Sequence, residues 1–197
     1  MPEEVRLWCV GADDELREVQ RANLDLENRL QEWLVQDIGM IDPGLLVIGR
    51  EVPTDFGGFI DILCIDAAGD LVVVELKRGK TPREITAQSI EYAAWVVDLS
   101  NDRVAQIADE YLGAFEQTFR SRFQLDLPEM LNGDHRILIV GSEIDASSER
   151  IIEYLSSRQG VNINAATFQY FRNSDGRQQA SEISRTLFPL PDLHGQQ

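Results

Sequence analysis

The chain is poor in cysteine, in basic residues and in long apolar runs, and each shortage removes a class of protein. Two cysteines, Cys9 and Cys64, in 197 residues are too few for a disulfide framework and lack the spacing of a zinc cluster. Each sits in an apolar, strand-like run, where a buried thiol is the ordinary state; a single Cys9–Cys64 disulfide also fits the count. There is no run of ~18 apolar residues and no charged-then-apolar leader, which argues against membrane spanning and secretion. The cytoplasm is the expected location. Lys and Arg number 18 against 34 Asp and Glu, a formal net charge of −16. Affinity for phosphate backbones comes mainly from Lys and Arg, so indiscriminate nucleic-acid binding is not expected. Internal repeats and low-complexity linkers are also missing.

What remains is an ordinary globular composition, 43% hydrophobic and 26% charged, in a length that suits one well-buried domain better than two. Residues 1–188 are expected to form that domain. Residues 189–197, with Pro, Gly and Gln and no apolar period, are expected to be a flexible tail. The charge is uneven. Residues 1–37 hold ten acidic and four basic side chains, whereas residues 76–87 hold Lys77, Arg78, Lys80 and Arg83 against Glu84 alone. Local sign can outweigh global sign near a cleft.

Periodicity outlines an α/β fold with a central mixed sheet flanked by helices. Residues 5–10 read as a strand, followed by an acidic stretch. Asn23 caps a helix over residues 24–38, with Leu26, Leu30, Trp33, Leu34 and Ile38 on its buried face. After the Asp42-Pro43-Gly44 turn come strands over 45–52, 60–66 and 71–77. Thr81, Pro82 and Glu84 have the cap, first-turn and capping-box chemistry of a helix start, for a helix reaching about residue 98. Further helices are expected over 102–111, 114–123 and 147–157. Strands are expected over 136–141 and 161–171, with a last edge strand over 183–187.

The hairpin over residues 58–78 (GFIDILCIDAAGDLVVVELKR) carries the chemistry. Ala67-Ala68-Gly69 reads as a three-residue loop with Gly in the left-handed third position. Asp66 then pairs with Asp70, and paired numbers sum to 136. That register sets Asp61 opposite Glu75, with Lys77 on the same face two residues on. Opposed carboxylates stand ~5 Å apart at Cβ and repel; a shared cation removes that cost. Mg²⁺ or Mn²⁺ takes such hard oxygen ligands together with water and a substrate phosphate oxygen, and the backbone carbonyl of Leu76 is a natural further ligand. Lys77 can orient the attacking water or stabilise developing charge. The structural alternative is an Asp61–Lys77 ion pair with Glu75 as a bystander.

This set resembles the PD-(D/E)XK nuclease superfamily, and within it the NucS-like endonucleases. The resemblance rests on residues 58–63 (GFIDIL), 69–79 (GDLVVVELKRG) and 81–95 (TPREITAQSIEYAAW), with weaker similarity at 24–30 (LDLENRL) and 161–165 (VNINA). It implies a restriction-endonuclease-like core and a metal-dependent endonuclease acting on DNA in repair or defence. Asp61, Glu75 and Lys77 match the metal-binding and catalytic core. Glu27 matches an acidic residue of the first helix that completes the metal shell, although a helix-dipole role explains it as well. Gln88 matches a glutamine on the following helix, and Tyr92, one turn on, shares its face; both also read as polar edges of a packed helix. Trp95 reads as core. Arg50, Arg78, Lys80 and Arg83 are candidate phosphate contacts, with Arg120 and Arg122 further candidates; each also reads as ordinary surface charge.

The chain departs from the pattern in two ways. Ile60 stands where the superfamily's proline precedes the aspartate, and the first strand leads directly into the nuclease-like helix, leaving no room for a separate DNA-sensing domain. The expected partner is DNA, single-stranded or branched, with no membrane, and a homodimer follows only by fold-level analogy. A catalytically silent nuclease-fold module binding nucleic acid or a partner protein is the alternative, which the −16 charge favours. RNA cleavage is a third reading, against which stands the lack of an aromatic-rich strand platform for stacking single strands.

Overall fold

The computed structural model describes residues 7–10, 14–21, 27–81, 84–168 and 171–172, and for some of these, Glu27 and residues 78–81 among them, the backbone alone. Its centre is a five-stranded mixed sheet in the order β3-β4-β5-β6-β7. The strands are β3 (Leu45–Pro53), β4 (Phe59–Asp66), β5 (Leu71–Thr81), β6 (His135–Ile144) and β7 (Ile163–Thr167). β3, β4 and β5 run antiparallel through short loops, while β5, β6 and β7 are parallel. The parallel half needs crossovers. α2 (Glu84–Val96), α3 (Asn101–Leu112) and α4 (Phe115–Phe123) lie between β5 and β6, and α5 (Ala146–Gln159) lies between β6 and β7.

β5 is the middle strand, and its Val-Val-Val run is buried on both faces, as a central covered strand should be. Val72, Val74 and Leu76 face α1 (Glu27–Gln36), packing with Leu30 and Leu34. Leu71 and Val73 face the other side, against Tyr92, Trp95, Val104, Ile107 and Phe119. The helix starts follow the chemistry of their caps. Ser100 accepts from the N–H of Arg103, and Asp145 accepts from Ser147 and Ser148. Gly113 and Gly160 close α3 and α5 in the left-handed conformation.

Three expectations need correction. The acidic stretch holds a strand, β2 (Leu16–Arg21), antiparallel to β1 (Leu7–Val10). Its sequence LREVQR offers little apolar signal, and its pairing is fixed by its neighbours. The strand expected over 161–171 is two, since β7 ends at Thr167 and β8 (Phe171–Arg172) joins β2 in a separate three-stranded sheet, β1-β2-β8. The first helix is also shorter than expected at its C-terminal end, because Ile38–Met40 forms a single 3-10 turn capped by Asp37. Asn23, Leu26, Pro82, Arg83, the edge strand over 183–187 and the tail over 189–197 lie outside the described residues. No described helix is long and apolar enough to cross a membrane.

Candidate active site where the hairpin splays

The hairpin forms as its loop chemistry dictates. Asp66 N–H donates to Asp70 C=O at 3.0 Å, and Gly69 stands at φ +89°. Register sums of 136 hold from Ile65↔Leu71 to Ile62↔Val74. Carried further, that ladder would deliver the N–H of Leu76 to the carbonyl of Ile60. Instead Leu76 N–H donates to Asp61 Oδ2 at 2.7 Å. The carboxylate stands where a carbonyl would be, so the strands part at the acidic residues. Such a charge-assisted bond is roughly twice as strong as a neutral one, which holds the Asp61 side chain over the β5 backbone.

Gln31 of α1 supports Asp61 from its other side. Its Nε2 donates to the Asp61 carbonyl at 3.0 Å. Its Oε1 accepts from Arg50 Nε at 3.2 Å and Nη2 at 3.0 Å. Gln31 is 5% exposed, and no feature of composition singled it out. The signal was positional, because Gln31 sits between Glu27 and Leu34 on one helical stripe (i, i+4, i+7). Glu27 opens α1 one turn before Gln31.

Glu75 is buried at 1% exposure. Lys77 Nζ lies 3.7 Å from its Oε1, and the lysine side chain retains 28% of its exposure. Glu75 is therefore a partner of Lys77. One residue later the pairing of β5 with β6 slips, since Lys77↔Gly141 is followed by Lys80↔Glu143. This one-residue bulge turns the strand just beyond the acidic pair, a usual device beside active sites. It carries the backbone of Arg78 and Lys80.

On α2, Gln88 Nε2 donates to the Tyr92 hydroxyl at 2.9 Å, so the two share a face as their spacing requires. Trp95 is buried and donates its indole N–H to Asp55 Oδ2 at 3.0 Å. The further basic candidates on α4 serve the fold. Arg122 donates to the carbonyls of Pro43 and Leu45, at the end of β3 that pairs with Asp66, far from Asp61. Arg120 pairs with Glu116 and Asp126.

The donor set fits a hard divalent cation in kind. Two carboxylates from adjacent strands and a carbonyl between them are oxygen ligands of the type Mg²⁺ and Mn²⁺ take. Among the described residues there is no group of three or more His, Cys, Asp or Glu side chains suited to an ion, so the described share of the set is these two carboxylates.

Residues 26–112 match the family model of the endonuclease NucS C-terminal domain. Curated relatives include endonuclease NucS of Corynebacterium efficiens, 45% identical over 53 residues, and of Streptomyces griseus, 49% identical over 53 residues. Each match covers 27% of this chain and 23% of the relative, so the chain spans about a quarter of the proteins it resembles. Solved structures of similar shape include an EndoMS complex with double-stranded DNA, at TM-score 0.45 and 19% identity, covering 74% of this chain and 47% of that one. Another is a repair endonuclease from Pyrococcus abyssi, at TM-score 0.43 and 18% identity, covering 72% and 47%. Over residues 26–112, the stretch that holds Asp61, Glu75, Lys77, Gln88 and Tyr92, the chain is similar to the C-terminal domain of endonuclease NucS.

Proposed function

We propose that the chain is a divalent-metal-dependent endonuclease that hydrolyses phosphodiester bonds in DNA, with Asp61, Glu75 and Lys77 as its reacting centre. The observation that carries this reading is the parting of β4 and β5 at the acidic residues, where the Asp61 carboxylate rests on Leu76 N–H beside the Glu75–Lys77 pair. A purely structural charge pair needs no such break in the ladder. The family match and the printed activity of its relatives support the same chemistry.

Asp61, Glu75 and the Leu76 carbonyl would hold Mg²⁺ or Mn²⁺, with Glu27 joining from α1, and the bound ion supplies charge against the phosphate and a more acidic water. The chain's own groups do the rest. Leu76 N–H fixes the orientation of the Asp61 carboxylate, and Gln31 fixes its backbone. Lys77, held by buried Glu75, donates hydrogen bonds to the attacking water or to a non-bridging phosphate oxygen as charge gathers there. Water adds to phosphorus and one ester P–O bond breaks, leaving a phosphate monoester and a hydroxyl. Gln88, steadied by Tyr92, positions the substrate phosphate from α2. Arg50, Arg78, Lys80 and Arg83 supply the phosphate contacts on either side.

The test is a cleavage assay on labelled DNA and RNA with Mn²⁺ or Mg²⁺, against EDTA. Cutting of DNA is expected with metal alone, and Lys77→Ala should abolish it while the fold and much of the binding persist. Mn²⁺ should also raise the Tm of the wild type and not of Asp61→Asn. The net charge of −16 favours a second reading, a silent nuclease-fold module. Oligonucleotide binding by the wild type with no cutting under any of these conditions would establish that reading instead.

A further inference from the structure

We propose that Glu51, held in the left-handed conformation opposite Asp61, is a positioning residue whose backbone lays the Asp61 carboxylate in the plane of the sheet. The positioning stands on geometry alone, and its effect on cutting rests on the nuclease reading above.

β3 and β4 keep one register through Gly49↔Leu63, Arg50↔Ile62, Val52↔Ile60 and Pro53↔Phe59. The step that would set Glu51 opposite Asp61 makes no ladder pair. Faces change at that step. Ile62 lies in the cluster of Leu30 and Leu34 from α1, whereas Ile60 lies in that of Tyr92 and Trp95 from α2. On β3, Arg50 reaches Gln31 of α1, whereas Val52 belongs to the α2 side. Residues two apart on a regular strand share a face, so both strands turn over here, each within a single residue. One residue stands against one, so this is not a β-bulge, in which two oppose one.

The turn-over has a chemical consequence. A strand N–H points in the plane of the sheet towards its neighbour, while a regular strand side chain stands perpendicular to that plane. An aspartate on an undistorted strand would point away from the Leu76 N–H, which Asp61 meets at 2.7 Å. At the turn-over its side chain lies in the plane, on the β5 side. β4 cannot rotate alone and keep its pairs with β3 on both sides of the step. β3 rotates with it, at Glu51.

The backbone of Glu51 carries the strain of that rotation. Its φ is +49°, where a residue with a Cβ is disfavoured. Of the other described non-glycine residues with positive φ, Gln124 closes α4, and Asp14 and Asn132 lie in irregular segments. Among the described residues Glu51 alone has this conformation inside a strand. Strain of this kind persists where the surrounding structure over-determines it, and it gathers at functional sites. The Glu51 side chain is exposed, and it forms no metal-holding group of three with Asp61 and Glu75. Its conformation, and not its charge, is therefore what the site uses. Residues 45–52 read as a plain strand in sequence, so only the packing of the two faces reveals the turn-over.

The test uses full-length chains carrying Glu51→Gly, Glu51→Ala or Glu51→Ile, and reads both amide exchange and cutting. Glycine takes the left-handed conformation freely, and a β-branched residue resists it most. Glu51→Gly should raise the Tm by about 2–4 °C, the shift that relief of such strain gives in a chain of this length. Its Leu76 amide should exchange as in the wild type. In Glu51→Ile the Leu76 amide should exchange about tenfold faster, measured against the Val74 amide of the same strand. With Mn²⁺, Glu51→Ile should lower kcat about tenfold with KM little changed, while Glu51→Gly cuts within about twofold of the wild type. Glu51→Ala should fall between them, and it is read in place of Glu51→Ile if that variant does not fold. Unchanged Leu76 exchange in the variant read overturns the proposal. So does a loss of cutting by Glu51→Gly as large as that by Glu51→Ile, which would assign the effect to the carboxylate. Absence of cutting by the wild type would remove the nuclease reading only, and Leu76 exchange would then decide the positioning by itself.

Discussion

Asp61 uses its side chain where a strand residue would use its backbone. Because its carboxylate takes the N–H of Leu76, the ladder ends, and Gln31 of α1 donates to its carbonyl. Gln31 is thus a positioning residue, acting through Asp61, and its two ends can be tested separately. Gln31→Glu keeps an acceptor for Arg50 and removes the donor to Asp61, while Gln31→Leu removes both. If the donor positions Asp61, both variants should lower kcat by about tenfold with KM little changed, since a misplaced reacting group loses rate before affinity. Both should also lose about 1–3 kcal/mol of stability by denaturant titration, because each leaves the Asp61 carbonyl without its donor. A Gln31→Glu protein that cuts at the wild-type rate sinks the assignment. A second residue makes a plainer prediction. Cys64 is wholly buried between β4 and α1, and burial pushes its thiol far above the usual range. In a Cys9→Ser background it should resist thiol reagents in the folded protein and react at once on unfolding; rapid stoichiometric labelling without denaturant would contradict the burial.

Among elements, the hairpin was the most legible part of the sequence. One glycine and the turn residues before it set the loop, and the loop set the register from Ile65↔Leu71 to Ile62↔Val74. The same arithmetic could not foresee that the ladder stops one pair short of the two acidic residues, because that depends on a side chain displacing a carbonyl. It also could not reveal Gln31, whose partners come from β3 and β4. β2 escaped notice for a related reason. Leu16 is 70% exposed, and the sequence LREVQR has no apolar alternation to read. The loop before β4 invites a paired test. Gly58→Ala must move the loop or the Tyr92 ring and should cost about 1–3 kcal/mol, as overpacking does. It should also weaken cutting, because Tyr92 holds Gln88. Gly57→Ala has open space and only the backbone strain of positive φ, about 1 kcal/mol. Equal loss of cutting by the two variants at matched stability would show that contact with Tyr92 is not what the loop provides.

The whole molecule imposes a constraint that neither the residues nor the elements show. A chain of net −16 repels a polyanion at long range, and salt screens that repulsion within a Debye length of about 8–10 Å. Contacts to phosphate by Arg and Lys pull the other way and weaken with salt in proportion to their number. Among the described side chains near the site, the cations are already engaged. Arg50 is already engaged with Gln31, and Lys77 with Glu75. With these cations engaged, DNA binding should depend only shallowly on salt. About three phosphate contacts give a slope near −2 in log K against log salt, a loss of roughly twentyfold between 50 and 200 mM. Screening of the chain's own negative field flattens the slope further. A titration of anisotropy against salt, at fixed Mn²⁺, decides the matter. A slope steeper than about −5 would mean at least seven phosphates neutralised. Affinity would then come from an extended basic surface.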